Sequence, residues 1–110
     1  MKYLCLAYGD EAGWNSLSDA EKQEVLAQDE VVRLHCEVMT AVRPTITSIS
    51  NWDRHLEVIE GSRVGARLPL AGFSVLEADD LEQAIALLQD TPCARARGLI
   101  EVYPFWDTSA

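Results

Sequence analysis

Residues Tyr3 to Tyr8, YLCLAY, carry apolar side chains at odd and even positions alike: Tyr3, Cys5 and Ala7 against Leu4, Leu6 and Tyr8. A strand projects successive side chains to opposite faces, so a run that is apolar on both must be covered on both. The segment is therefore expected in the middle of a sheet, and the fold has to supply a layer on each side of it. It empties into Gly9-Asp10-Glu11 and Trp14, a loop held by a rigid scaffold, which is where binding groups tend to sit.

Two helices are expected. Ser18-Asp19-Ala20-Glu21 matches the capping box, in which a serine hydroxyl and a glutamate carboxylate satisfy free backbone N–H groups. At 100° per residue Ala27, Val31, Leu34, Val38 and Val42 share one face, Val32 and Met39 widen it, and Glu30, Arg33 and Glu37 face away. This helix is expected to run to about Val42, where Arg43-Pro44 ends it, because the residue before proline is pushed out of the helical region. Asp79-Asp80 caps a second helix, whose Leu81, Ala84, Ile85 and Leu88 form the clearest helical stripe and which stops before Pro92.

Between and after the helices the pattern is that of strands. TITSIS and HLEVIE flank Asn51-Trp52-Asp53 as two short strands, Phe73 to Ala78 is a third, and LIEVYPF is a last one, with Ile100 and Val102 facing opposite to Glu101 and Tyr103. Gly61, Gly65, Arg63, Arg67 and Pro69 make the stretch between them a loop or edge. The order strand, helix, two strands, strand, helix, strand implies one α+β domain over residues 1–110: a ferredoxin-like antiparallel sheet with two helices on one face and one extra strand. The other sheet face then needs a cover, and a second copy is the simplest one, giving a two-fold homodimer.

Composition narrows the function classes. A 110-residue chain that is 48% hydrophobic has a small core, to which an oligomer interface would add. Eighteen acidic against nine basic residues, a formal charge of -9, repel a phosphate backbone, so nucleic acid is excluded as a partner. No apolar run approaches the roughly 20 residues that span a bilayer, and no basic and apolar leader opens the chain, so a cytoplasmic protein away from membranes is expected. Cys5, Cys36 and Cys93 have neither disulfide-framework nor metal-ligand spacing, which fits a reducing compartment and no metal; Cys5 and Cys36 read as small packing residues. Gly61, Gly65 and Gly72 miss the nucleotide-binding spacings, no Gly-x-Ser-x-Gly elbow is present, and no cofactor is expected.

Three blocks, MKYLCLAYGDEAGW, LAGFSVLEADDLEQAIALLQDTP and GLIEVYPF, in this order, resemble the YCII-related family and specifically its DGPF-type branch. The resemblance implies a dimeric α+β barrel of the ferredoxin-like kind with a pocket between sheet and helices. Members of the branch carry Asp-Gly-Pro-Phe in a hairpin just before the block that here begins Leu70-Ala71-Gly72-Phe73; this chain has GSRVGARLP there, and the motif is missing. Others place a histidine on the first helix near an aspartate in the next turn. His35 lies too far along to match, and Arg43-Pro44-Thr45 has no aspartate, so no catalytic dyad is carried over.

Among the residues themselves, His35 is the candidate for catalysis: a helical position facing the sheet would hold it neutral and ready as a base, while the plainer reading is a core histidine bonded to a backbone carbonyl. Tyr8, Asp10 and Trp14 offer aromatic surface beside a carboxylate, suited to a small, partly apolar organic ligand with a donor group, against a turn aspartate and a packing tryptophan. Trp52, Asp53 and His55 form a third group at a hairpin tip, structural unless the tryptophan meets a ligand or a second subunit. Three functions follow: a small-molecule-binding homodimer without demonstrated catalysis, a muconolactone-isomerase-like or dehalogenase-like enzyme in which His35 moves a proton, and a regulatory protein-interaction module.

Overall fold

A computed structural model of the chain describes residues 1–62, 64–65 and 67–106. The elements are β1 (Lys2–Tyr8), α1 (Glu11–Asn15), α2 (Asp19–Arg33), β2 (Cys36–Ala41), β3 (Thr47–Trp52), β4 (His55–Glu60), β5 (Leu70–Glu77), α3 (Leu81–Leu88), α4 (Pro92–Arg95) and β6 (Leu99–Pro104). Strands β2-β5-β1-β6, antiparallel throughout, make one sheet, and β3 and β4 pair separately. Helix α2 joins β1 to β2, helices α3 and α4 join β5 to β6, and the β3–β4 hairpin is inserted between the two units. This is the expected ferredoxin-like α+β arrangement, with β1 in the interior of the sheet.

The local signals explain much of it. Ser18 and Glu21 close the capping box, each backbone N–H donating to the other side chain at 3.1 Å. Asp80 caps α3 by accepting from the Gln83 N–H at 2.8 Å. Asp53 and Arg54 both hold positive φ, 54° and 62°, the conformation of a tight two-residue hairpin turn that follows the strand twist.

Cross-strand register sorts the sheet into two faces. Tyr3, Cys5 and Ala7 align with Leu76, Ser74 and Gly72 on β5 and with Pro104, Val102 and Ile100 on β6. This face lies under the helices, where Tyr3, Cys5, Val32, Leu76, Ala78, Ala84 and Leu88 form the core. A smaller cluster of Leu17, Val25 and Ala96, with Trp14 against it, packs α2 to α4. Arg95 on α4 reinforces that junction with ion pairs to Glu21, Glu24 and Asp90.

Three expectations are corrected. The first long helix stops at Arg33, with Leu34 as its C-cap, and Cys36–Ala41 is a strand. Those residues pair with the outer edge of β5, and a register irregularity between Cys36 and Val38 breaks the two-residue alternation that would have marked them. The helix also buries a different face: Val25 and Val32 point inward, whereas Ala27 and Val31 are exposed and Leu34 is 86% exposed. On α3 the buried pair is Ala84 and Leu88, with Leu81 and Ile85 half exposed.

The hairpin stands apart from this body. Its strands pair only with each other, and the radius of gyration is 16.0 Å, above the roughly 13 Å of a compact domain of about 100 residues. The stretch read as a loop or edge before β5 carries no regular element at its described residues; Arg63 and Ala66 lie outside them. Among the described residues no helix is long and apolar enough to cross a membrane.

Candidate functional site

Between α2, the α3–α4 turn and the covered face of the sheet lies a cavity of about 240 Å³. Its floor is sheet: Cys5 and Ala7 from β1, Ser74 from β5, Met39 from β2 and Ile100 from β6. Its walls are Asp29, Val32 and Arg33 from α2, and Leu88 to Cys93 contribute the far side through Leu88, Thr91, Pro92 and Cys93. The floor follows from alternation, since these are the strand residues that share the helix side.

Asp29 gives the cavity its chemistry. It sits one turn after Val25 and three residues before Val32, on the inward stripe of α2, and is half-buried. Burial pushes its carboxyl above the usual value, the Arg33 guanidinium four residues on pulls it back, and Glu30 adds to the rise. Gln28 occupies the same stripe and donates from Nε2 to the Leu87 carbonyl at 2.8 Å, which ties α2 to α3 beside the cavity.

The three thiols are held protonated. Burial raises the pKa of Cys5, Cys36 and Cys93, and only for Cys5 and Cys36 does a hydrogen bond with Ser74 oppose it. A thiol so raised is a weak donor and a soft apolar wall and a poor nucleophile. Thr91 spends its hydroxyl on the Leu88 carbonyl at 2.6 Å, closing the turn after α3. The cavity is therefore mostly apolar, with Asp29 and Arg33 as the charged residues of its lining. Among the described residues no cluster of His, Cys, Asp and Glu could hold a metal ion.

The candidates chosen from sequence lie elsewhere. His35 is on the turn between α2 and β2, exposed, its N–H donating to the Val32 carbonyl and its own carbonyl accepting from Glu77. Asp10 is the N-cap of α1 and accepts from the Gly13 N–H at 2.8 Å. Trp14 packs on the Leu17–Val25–Ala96 cluster with the Lys22 ammonium 5.4 Å from its ring centre. Tyr8 is on the opposite sheet face, where it lines a second cavity with Arg67 and Arg97. Trp52, 83% exposed, Asp53 and His55 form the hairpin tip. None of these residues lines the cavity around Asp29.

Asp29 escapes a pattern reading because a polar residue on a helix is assigned to the solvent face. The available clue is the spacing Val25, Gln28, Asp29, Val32, which is a single face with two polar residues inside it.

A ferredoxin-like sheet with a small cavity under its helices places the chain in the α+β class. Within it, the chain belongs to the YCII-related domain family, whose model matches residues 1–109. No curated protein matches the chain. Among solved structures it is similar to 5-chloro-2-hydroxyhydroquinone dehydrochlorinase (TftG) from Burkholderia phenoliruptrix AC1100, in complex with 2,5-dihydroxybenzoquinone. The match covers 96% of this chain and 94% of that one at a TM-score of 0.56 and 13% identity, which is a likeness of fold.

Proposed function

We propose that the chain binds a small, partly apolar, hydroxylated organic molecule in the cavity between helices and sheet. The observation that carries this is a half-buried carboxyl with a raised pKa lining a mostly apolar cavity. At about 240 Å³ the cavity falls below the roughly 300–1,000 Å³ typical of ligand pockets, which limits the ligand to about one ring. The ligand of the dehydrochlorinase, a single oxygenated ring, is of that size class, which supports the reading.

The enzyme alternative keeps its isomerase- or dehalogenase-like character and changes its residue. A base must reach the proton it moves; Asp29 lines the cavity and His35 does not. Asp29 is thus the group through which such a protein would transfer a proton to or from a ring carbon or hydroxyl.

The homodimer is part of the same proposal. On the sheet face away from the helices, Leu4, Leu6, Val75, Phe73 and Val38 stand side by side in register. Covering them with a second copy gains about 25 cal/mol per Å² of apolar surface.

A thermal-shift screen of neutral phenols and cyclic ketones tests the site. Hits are expected to stabilise the wild type, to vanish in Asp29→Asn and in a cavity-filling Cys93→Phe, and to survive His35→Ala. Hits indifferent to both cavity variants would refute the reading.

A further inference from the structure

On the open face of the sheet, at the end where β1 finishes and β6 begins, a second cavity of about 580 Å³ is lined by Tyr8, Leu99, Glu101 and Tyr103 from the strands and by Arg67 and Arg97 from the flanking loops. Two features set it apart. In a chain of formal charge -9, the lining includes two arginines, Arg67 and Arg97, and neither makes a hydrogen bond or ion pair among the described residues. Arg97 is also held at a positive φ of 58°, unusual for a residue with a side chain. Its neighbour Gly98 is packed so closely that a Cβ there would collide with the carbonyl oxygens of Tyr8 and Cys93, and both residues line the cavity.

The remaining lining decides what kind of anion suits it. Tyr8 and Tyr103 supply aromatic surface and Leu99 an apolar wall, while Glu101 beside the Tyr8 hydroxyl raises the pKa of that phenol. A carboxylate within the site and an acidic chain around it disfavour a polyanion. One planar anion can be gripped by two forked guanidiniums with its body against the tyrosines. We infer that this cavity is a second ligand site, separate from the one around Asp29, for an aromatic carboxylic acid.

Benzoate titrated calorimetrically into the full chain tests this, at a concentration where light scattering has established the oligomeric state. The expected result is a saturable sub-millimolar interaction, weakened at least tenfold by Arg97→Asn and by Arg67→Gln, which leave the melting temperature unchanged. Asparagine is chosen because it tolerates positive φ. Asp29→Asn should leave benzoate binding intact, so failure of the helix-side reading and failure of this one are separable. Benzyl alcohol should bind at least tenfold more weakly than benzoate. Absence of saturable benzoate binding, indifference to both arginine variants, or equal binding of the alcohol would overturn the proposal. Inorganic phosphate binding as tightly as benzoate would overturn the aromatic part of it by showing a site for a bare anion.

Discussion

Val75 and Leu76 are adjacent on β5 and similar in chemistry, yet Leu76 is fully buried beneath the helices while Val75 looks out from the open face. The same contrast runs across the sheet: one face has helices, a core and a cavity, and the other has apolar side chains in register and, among the described residues, no helix or strand packed over it. What differs is therefore the layer above the strands more than the strands themselves: this chain supplies it on the first face, and the proposed second copy would supply it on the second.

The largest expected effect tests the covered face. Leu76→Ala should cost about 2–5 kcal/mol, the range for truncating a buried leucine, whereas Val75→Ala should cost about 1 kcal/mol or less, as read from denaturant midpoints. Equal losses would erase the distinction between the faces. Val75→Asp addresses the open face directly. A variant that remains folded but halves the mass seen by light scattering is the expected outcome, and an unchanged mass would place the interface elsewhere.

Ser18→Ala should cost about 1 kcal/mol by removing the hydroxyl that receives the Glu21 N–H at the start of α2. Ile85→Ala should cost less than half the loss at Leu88→Ala, because Ile85 is 51% exposed.

The smallest effect has a sign that identifies Asp29. Its folded pKa is raised by burial, so the folded chain holds that proton more tightly than the unfolded one. The resulting destabilisation is absent below the ordinary carboxylate value of about 3.9 and develops as pH rises through the elevated folded value. Asp29→Asn should accordingly raise the melting temperature by a few degrees at neutral pH and converge with the wild type near pH 4. A variant less stable than wild type at neutral pH would contradict a desolvated carboxyl.

Where the physics is local, the sequence was readable: the capping box at Ser18, the aspartate cap at Asp80, the hairpin about Asp53 and the alternation of Ile100 and Val102 all stand as read. It failed where tertiary structure overrides pattern. Val38 and Val42 fall four apart and so continue a helical stripe on paper, but β5 needs a partner strand along its edge and Cys36–Ala41 provides it. The resemblance placed a pocket between sheet and helices, but its lining was not legible, for a related reason. Gln28 and Asp29 sit on a buried face because one bonds a neighbouring helix and the other looks into an open space, neither of which leaves a mark in hydrophobic periodicity. Short elements such as α1 and α4, five and four residues long, are too brief to show a period at all.

The claim that a ligand site lies under the helices is tested most directly by amide NMR during titration with resorcinol, a neutral dihydroxylated ring. The account predicts saturable shifts at Cys5, Asp29, Ser74 and Cys93 that are lost in Asp29→Asn. Shifts confined to Tyr8, Glu101 and Tyr103 on the open face, or none at saturating resorcinol, would contradict it.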